Sequence, residues 1–209
     1  AYSSTTVLQS FPAGHTAGVR RVSVVGNSGS GKTTLGRRLA ALLDVPFVEL
    51  DATHHLPGWQ PIDPDEFTAR VTERVAGEGW VIDGNYRAVV LDGPVWKHAD
   101  TIVWLDLPRR TVMRQVVWRT LRRTATREEL WNGNRELLRN LWRWDPRENI
   151  IRWAWTRYAT VVTRYEAAIH DPAHAHLTFI RLRTSAEVDR WLSSLGPVAD
   201  DGSILRQPM

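Results

Sequence analysis

The 209-residue sequence contains no cysteine, which excludes disulfide bonds, thiolate metal sites and a cysteine nucleophile. It also lacks any run of about 18 apolar residues, so we expect no membrane-spanning helix. The first 19 residues contain no Lys or Arg and no long apolar stretch, so we expect no secretory signal peptide. With 43% hydrophobic and 24% charged residues, the composition is that of a folded globular protein, and we expect a cytoplasmic one.

Lysine is scarce and arginine is unevenly distributed. Lys32 and Lys97 are the only two lysines, whereas 14 arginines and only 5 acidic residues lie between positions 109 and 164. That segment therefore carries nine excess positive charges, although the net charge of the whole chain is only +4. Six of the 11 tryptophans lie within it, between positions 118 and 155. A basic segment on an otherwise acidic chain predicts a mobile region that grips an anionic ligand.

Short apolar runs alternate with helical patterns along most of the chain. The runs predict strands at residues 21–25, 46–50, 80–82, 101–105 and 177–182. Helices are predicted at residues 32–43, 64–76, 108–121, 148–169 and 185–195. Strands separated by helices predict an α/β fold, in which a five-stranded parallel sheet is flanked by helices.

The same patterns predict one folded domain, over residues 19–196. Residues 1–18 are rich in Ser, Thr, Gly and Ala without periodicity, which predicts a flexible extension. Residues 197–209 follow a Gly-Pro helix stop and predict a flexible tail.

A phosphate-binding motif follows the first predicted strand. Residues 26–33 match G-x-x-x-x-G-K-[ST] in full, between an apolar strand and an amphipathic helix. The glycines allow backbone N–H groups to point at a phosphate, and the helix N-terminus adds a positive dipole end. In such loops the Lys reaches the β- and γ-phosphates and the Thr hydroxyl ligates Mg²⁺. The motif therefore predicts a Mg²⁺-ATP site formed by Gly26, Asn27, Ser28, Gly29, Ser30, Gly31, Lys32, Thr33 and Thr34.

Acidic residues follow three other predicted strands. Asp83 ends the third strand, beside the phosphate loop, and is predicted to hold Mg²⁺ together with Thr33. Glu49 and Asp51 end the second strand, and alternation would place both on one face. We predict that Asp51 orients or deprotonates an acceptor hydroxyl; the alternative is a solvated loop acid. Asp106 ends the fourth strand just before Pro108, and a helix cap is its predicted role.

These elements, in this order, resemble the adenylate-kinase-like small P-loop kinases. The resemblance rests on residues 26–33, the Asp51 strand end, the Asp-Gly-Asn-Tyr-Arg segment at 83–87, Leu-Asp-Leu-Pro at 105–108 and Arg119-x-x-x-Arg123. It covers roughly residues 20–195 and looks closest to bacterial adenylate-kinase-related proteins labelled topology modulation (FlaR-type) proteins. It implies a nucleoside-monophosphate-kinase-like fold with an acceptor-binding region at 51–79 and an Arg- and Trp-rich helical lid at 119–152.

The resemblance also implies residue roles. Arg87 would contact phosphates, as the Arg that follows the matching Asp-Gly segment does in those kinases. Of Arg119 and Arg123, which begin the lid, one would stack near the adenine and the other would neutralise the phosphoryl group in transit. The loop near Arg183 would contact the adenine through its backbone.

The predicted acceptor region contains ring-bearing side chains. Asp51, His54, Trp59 and Arg87 all follow strand ends and are predicted to face one cavity beside the phosphate loop. Such a set suits a polar acceptor with an aromatic or sugar ring, although His54 and Trp59 could also be ordinary loop residues. Within residues 51–79 the only arginines are Arg70 and Arg74, on a predicted helix whose one face is apolar. A second phosphate-binding Arg is therefore not evident, and we predict that AMP is a poor acceptor. The tryptophans of the lid are predicted mainly to pack, with one or two left for a ligand.

Together these features predict an ATP-dependent phosphotransferase that moves the γ-phosphoryl group of Mg-ATP to a small acceptor. A nucleotide, a nucleoside or another hydroxyl compound would each serve. Two alternatives remain, a nucleic-acid-associated regulatory P-loop ATPase and a toxin-type nucleotide-sugar kinase. The sequence has no helix-turn-helix, zinc or RNA-binding signature, so we expect neither a nucleic-acid nor a membrane partner. Nothing in the sequence indicates an oligomeric state.

Overall fold

The computed structural model describes residues 7–8, 19–126, 129–134 and 150–195, which form an α/β fold around one parallel sheet. The strands of this sheet are β1 (Val7–Leu8), β2 (Arg21–Gly26), β3 (Phe47–Glu49), β6 (Trp80–Asp83), β7 (Thr101–Leu105) and β8 (Thr178–Leu182). A separate antiparallel hairpin consists of β4 (His55–Leu56) and β5 (Gln60–Pro61). The helices are α1 (Lys32–Leu43), α2 (Leu50–His54), α3 (Pro64–Val75), α4 (Pro94–His98), α5 (Arg109–Thr126), α6 (Ile150–Ile169) and α7 (Ser185–Leu195).

The sheet contains the five strands that the sequence predicts, and all are parallel. Their order is β8–β7–β2–β6–β3, and β1 adds a sixth strand outside β8. Strands β2, β6 and β7 are buried along almost their whole length, as expected when helices cover both faces of a parallel sheet. Residues 7–8 belong to the stretch predicted to be flexible, yet their backbones pair with Phe179 and Ile180. A strand of two residues is too short to produce a recognisable periodicity in the sequence.

Two apolar layers cover the faces of the sheet. On one face, α1 and α7 pack Leu39 and Trp191 against Val24 and Val103. On the other, α3, α4 and α6 pack against β6, β7 and β8, and Trp96, Trp104, Trp80 and Tyr165 are almost fully buried there. Helices α5 and α6 meet in a smaller cluster around Val112 and Val116. The predicted helices are therefore present, with the short α2 and α4 in addition.

The central strand β2 is the point at which the strand order reverses. After β2 and α1 the chain crosses to β3, on one side, whereas β7 and β8 lie on the other side. Crevices for ligands open at the carboxyl ends of strands at such a point in parallel sheets. The phosphate-binding motif leaves β2 at this end.

The segment after β3 differs from its prediction. Strand β3 ends at Glu49, and Asp51 lies in the single-turn helix α2 rather than at a strand end. Alternation along a strand therefore does not place Glu49 and Asp51 on one face. The hairpin β4–β5 follows, closed by a 3₁₀ turn over Pro57–Trp59 in which Gly58 and Trp59 both have positive φ. These elements are too short to leave a recognisable pattern in the sequence.

Only part of the predicted lid lies within the described residues. Helix α5 reaches Thr126, a 3₁₀ turn spans Trp131–Gly133, and α6 begins at Ile150. Several predicted lid residues lie outside the residues that the structure describes, namely Arg127, Arg135, Arg139, Arg143, Arg147, Trp142 and Trp144. The predicted tail at 197–209 also lies outside it. None of the helices in the described part of the chain is long and apolar enough to cross a membrane.

Candidate active site

The phosphate-binding loop connects the end of β2 directly to α1, as the motif requires. Two of its glycines are needed for steric reasons. Gly26 has φ 144°, and a Cβ there would lie 2.6 Å from the carbonyl oxygen of Leu105. Gly29 has φ 83°, and a Cβ there would overlap the side chain of Val116 on α5. The loop is therefore pressed between β7 and α5, which only glycine permits at these positions.

The loop is also held by internal hydrogen bonds. The backbone N–H of Ser30 donates to the carbonyl oxygen of Asn27 at 3.1 Å. The Nζ atom of Lys32 donates to the same oxygen, also at 3.1 Å. Both Asn27 and Ser30 are almost fully buried, whereas Gly31 and Thr34 are exposed at the start of α1. Lys32 therefore lies over the loop, where a bound phosphate chain would meet its ammonium group.

Three oxygen-bearing side chains meet at the first turn of α1. The Thr33 hydroxyl donates to Oδ2 of Asp83 at 2.6 Å and lies 3.4 Å from Oε1 of Glu49. Glu49 in turn pairs with Arg37 at 3.3 Å. Carboxylate and hydroxyl oxygens are the ligands that Mg²⁺ takes, usually one or two from the protein with phosphate and water completing the shell. The residues at this position therefore fit the predicted Mg²⁺ site.

Asp83 is the acid most affected by its surroundings. It is only 4% exposed, and burial raises its pKa to about 6, although Lys32 and the Thr33 hydroxyl act in the opposite direction. Charge repulsion from Asp51 and Glu49 contributes to this rise. A cation bound at Asp83 and Thr33 would offset the charge repulsion that Asp83 experiences.

We expect the Asp83→Asn variant to need more Mg²⁺ than the wild-type protein. An amide offers the metal a neutral oxygen, so the Mg²⁺ concentration for half-maximal ADP release should rise about tenfold, or ~1.4 kcal/mol. The backbone N–H groups of the loop should still bind the nucleotide. Glu49→Gln is the matched control, because Glu49 is farther from Thr33 and already paired with Arg37, and it should have a smaller effect. An unchanged Mg²⁺ requirement for Asp83→Asn would contradict the metal role.

Asp51 does not share a strand face with Glu49, and its hydrogen-bond partner is Tyr86. The Tyr86 hydroxyl donates to Oδ1 of Asp51 at 2.6 Å. Burial, and then the charge of Asp51, raise the pKa of Tyr86, so its phenol stays protonated and acts as a donor. The ring centroid of Tyr86 lies 4.6 Å from that of His54 and 5.1 Å from that of Phe67. Asp51 is thus held at the edge of an aromatic cluster.

His54, predicted as an acceptor contact, belongs to that cluster. Burial lowers its pKa, and the neighbouring His55 lowers it further, so the imidazole is neutral at pH 7. The Nδ1 atoms of His54 and His55 are both buried without a hydrogen-bond partner. His55 stacks against Trp131 of the lid at 6.0 Å, and Trp59 lies edge-on to both rings. The predicted lid and the predicted acceptor region therefore share one aromatic surface.

Two asparagines fasten the lid segment to the acceptor region. Asn134 donates from Nδ2 to the carbonyl oxygen of Leu56 at 3.0 Å and accepts from the N–H of Trp59 at 2.9 Å. Asn132 donates from Nδ2 to the carbonyl oxygens of Ala52 and His55. The Asn-Gly-Asn sequence suggests a flexible break in the lid, but the structure forms an ordered turn there. The bond from Asn134 also holds Trp59 in its left-handed conformation (φ 61°).

We expect Asn134→Ala to destabilise this junction. Asn134 is 4% exposed, and its loss would leave partly buried backbone groups of Leu56 and Trp59 without these bonds, which costs about 1 kcal/mol of unfolding free energy. Asn132→Gly is the matched control, because it removes an exposed side chain and keeps the left-handed backbone unstrained. Urea unfolding of both variants measures the difference. A loss below about 0.5 kcal/mol in Asn134→Ala would show that the bonds of Asn134 contribute little.

The two lid arginines lie on the side of α5 that faces the phosphate loop. Arg119 Nη2 is 3.5 Å from Oγ of Ser28, a long contact. Arg123 follows one helical turn later and is also half-buried. Both remain predicted nucleotide contacts. Away from this side, Trp118 is 71% exposed, and Trp155 is 54% exposed beneath the guanidinium of Arg109. These two tryptophans therefore contribute little to the core.

The other two predicted arginines lie outside the cluster. Arg87 is exposed and pairs with Asp92 at 2.8 Å, so the structure does not bring it together with Asp51 and His54. Arg183 is 54% exposed, and its backbone N–H donates to Glu187 at the start of α7. Asp106, expected to cap a helix, instead accepts two bonds from the guanidinium of Arg181.

Sequence reasoning missed three residues that contact the site. Tyr86 binds Asp51, and Asn85 binds both backbone groups of Gly26. Tyr165, on α6, donates to Asn85. Asn85 and Tyr86 lie within the Asp-Gly-Asn-Tyr-Arg segment that the resemblance singled out, but only its first and last residues were assigned roles. The partner of Tyr165 is 80 residues away in the chain, and no local pattern signals it.

Part of the chain is similar to known small-molecule kinases. A cytidylate kinase from Nitratidesulfovibrio vulgaris is 36% identical over 80 residues, 37% of this chain and 34% of that protein. A shikimate kinase from Bradyrhizobium diazoefficiens is 38% identical over 78 residues, 36% of this chain and 34% of that protein. The matched part spans about a third of the length of these curated relatives. No protein-family model matches the chain.

Solved kinase structures align with most of the chain at low TM-scores. The shikimate kinase from Acinetobacter baumannii, in complex with shikimate, aligns with a TM-score of 0.48 at 18% identity, covering 85% of this chain and 92% of that one. A gluconokinase from Sinorhizobium meliloti aligns with a TM-score of 0.45 at 17% identity, covering 85% and 91%. At these scores the likeness adds nothing to what the sheet order and the loop already establish.

Proposed function

We propose that this chain is a P-loop kinase, which transfers the γ-phosphoryl group of Mg-ATP to a hydroxyl group of a small molecule. One observation carries the proposal: a complete phosphate-binding loop at the reversal of strand order, with Thr33 hydrogen-bonded to Asp83. Asp51 is held by Tyr86, three residues after Asp83, and its charge contributes to the raised pKa of Asp83. The candidate metal ligand and the candidate acceptor base are thus connected through residues 83–86, because Asp83 accepts from Thr33 and Tyr86 donates to Asp51.

On the donor side, the loop N–H groups and the N-terminus of α1 would bind the phosphates. Lys32 would leave the carbonyl oxygen of Asn27 and bind phosphate oxygens, which carry more negative charge. Arg119 and Arg123 would add positive charge from α5. Magnesium, held by Thr33 and Asp83, would supply charge neutralisation between the phosphates.

On the acceptor side, Asp51 would orient the hydroxyl group and take its proton. A bond forms between the acceptor oxygen and the γ-phosphorus, the bond from that phosphorus to the bridging oxygen breaks, and ADP leaves. Tyr86 would keep Asp51 in place, since it already donates to Oδ1. The proton ends on Asp51 and then passes to water.

The acceptor region favours a hydroxyl compound without a phosphate group. Within residues 51–79, Arg70 is paired with Glu66 on the exposed side of α3, and Arg74 is exposed on the same helix. The guanidinium of Arg87 forms an exposed ion pair with Asp92. The side chains gathered around Asp51 are instead aromatic or neutral imidazole rings, which stack on rings and accept or donate single hydrogen bonds. The ring of a sugar, cyclitol or nucleoside would suit them.

An acceptor screen tests the proposal. ADP release from Mg-ATP should be measured with nucleosides, sugars, cyclic polyols and AMP, each at millimolar concentration. The Lys32→Ala variant serves as the inactive control. We expect turnover with a hydroxyl compound and little with AMP. Turnover of AMP within the usual range of about 1–1000 per second would restore a nucleoside monophosphate kinase. ADP release that is independent of every acceptor would instead favour an ATPase.

The narrower resemblance gives a narrower proposal. We propose that the chain belongs with the adenylate-kinase-related topology modulation proteins and acts in the cytoplasm. The Asp-Gly-Asn-Tyr-Arg segment and the spacing of Arg119 and Arg123 support this grouping.

A further inference from the structure

We propose that Asn85 and Tyr86 are positioning residues, which together set the distance between the phosphoryl donor and the acceptor, and that Tyr165 holds Asn85 in place. The inference rests on the proposed function, because it takes the phosphate loop as the donor site and Asp51 as the acceptor-side group. It assigns a role to the loop that directly follows β6.

Asn85 holds the first residue of the phosphate loop. Its Nδ2 donates to the carbonyl oxygen of Gly26 at 2.6 Å, and its Oδ1 accepts from the N–H of Gly26 at 3.3 Å. A single side-chain amide therefore engages both backbone groups of one glycine. Glycine is the residue with the greatest backbone freedom, so an external pair of bonds is an effective way to fix the loop here.

Tyr165 fixes the orientation of that amide. Its hydroxyl donates to Oδ1 of Asn85 at 2.8 Å. Burial raises the pKa of Tyr165, so the phenol remains a donor. A flipped amide would direct its NH₂ group at the Gly26 N–H and its oxygen at the Gly26 carbonyl, so only one orientation satisfies the network. The Tyr165 ring is 1% exposed and packs near Trp96 and Trp104, which makes it a rigid support.

Tyr86 performs the equivalent task on the acceptor side. Its hydroxyl engages Oδ1 of Asp51, so an acceptor hydroxyl would be served by Oδ2. The Tyr86 ring lies between His54 and Phe67, whose contacts restrict its movement. The position of the Asp51 carboxylate is therefore tied to the backbone that follows β6.

The two ties begin at neighbouring residues. Consecutive Cα atoms are about 3.8 Å apart and rigidly linked by a planar peptide, so Asn85 and Tyr86 cannot move independently by much. Asp83, two residues earlier, bonds to Thr33. One short segment thus contacts the start of the phosphate loop, the start of α1 and the helix that carries Asp51. Since a misplacement of about 1 Å can cost a hundredfold in rate, this segment is well placed to govern transfer.

Three tyrosine-to-phenylalanine variants separate these roles, because each removes one hydroxyl. Tyr165→Phe should weaken Mg-ADP binding about fivefold in calorimetry, with the KM for the acceptor unchanged. Tyr86→Phe should leave the Kd for Mg-ADP within about twofold and lower kcat about tenfold. Tyr158→Phe is the control, because Tyr158 also lies on α6 and donates to a carbonyl oxygen, that of Leu107. This variant should change neither the Kd for Mg-ADP nor kcat.

Wild-type Mg-ADP affinity in Tyr165→Phe would overturn the role of Tyr165 as the support of Asn85, and changes in the same constants for both site variants would overturn the division of roles. A proton NMR signal of the Tyr86 hydroxyl should shift in Asp51→Asn, and an unshifted signal would overturn the tie to Asp51. If no compound supports phosphoryl transfer, the proposed function fails, yet the Mg-ADP affinities and the hydroxyl signal still decide the positioning roles.

Discussion

Replacing Lys32 with Ala should lower ADP release at least about a hundredfold while leaving the fold intact. The loss corresponds to ~2.7 kcal/mol in the activation barrier, which is typical when one preorganised charge or donor is removed from a transition state. Within the described residues, the Lys32 ammonium group donates to the carbonyl oxygen of Asn27, and Lys32 belongs to none of the three apolar clusters. Its removal should therefore change the chemistry and not the core.

The chain offers a natural control for this experiment. Lys97 is the only other lysine and is exposed on α4, so Lys97→Ala should retain full activity. Steady-state ADP release and circular dichroism of both variants are the measurements. A Lys32→Ala protein with more than about a tenth of wild-type turnover would show that the loop does not act as a phosphoryl-transfer site.

Asp51→Asn should produce the second largest loss. An amide cannot accept the proton of the acceptor hydroxyl, and general bases contribute about a hundredfold or more to turnover. Asn can still accept the bond from Tyr86, so the aromatic cluster should stay in place. The Kd for Mg-ADP should change little, because Asp51 does not belong to the phosphate-binding loop.

The measurement is kcat with the acceptor identified in the screen, together with calorimetric titration of Mg-ADP. Asp65→Asn is the matched control, since Asp65 is exposed at the start of α3, where its own N–H donates to Asp63. If Asp51→Asn retained wild-type turnover, Asp51 would be an ordinary surface acid and the base would have to be sought elsewhere.

The fold was predictable because its signals are long and regular. The five main strands are apolar runs, and helices such as α3 have strong start signals: Asp63 accepts from the N–H groups of both Asp65 and Glu66, as its Asp-Pro-Asp-Glu sequence indicates. The phosphate loop was predictable because eight consecutive residues carry the motif. The motif and the position of Asp83 at a neighbouring strand end predicted that Thr33 and Asp83 lie together. The hydrogen bond between them confirms that these side chains meet.

The acceptor region was predictable in composition but not in geometry. Asp51 and His54 do lie close together, whereas Arg87, four residues after Asp83, turns to the surface and pairs with Asp92. Which way such a side chain turns depends on a neighbour five residues on, and a motif carries no such information. Asn85 and Asn134 have partners 59 and 75 or more residues away, so their roles emerge only once the chain has folded.

The strand β1 has a consequence for how the sheet meets other chains. Exposed strand edges present unpaired N–H and C=O groups and are templates for edge-to-edge aggregation. Here the backbone of Val7–Leu8 covers part of one edge, that of β8, and the opposite edge is β3, which is only three residues long. Within the part of the chain that the structure describes, both outer edges of this sheet are therefore short. Shortening the chain from its beginning past Leu8 would uncover β8, a longer edge, and create a site at which two copies could pair.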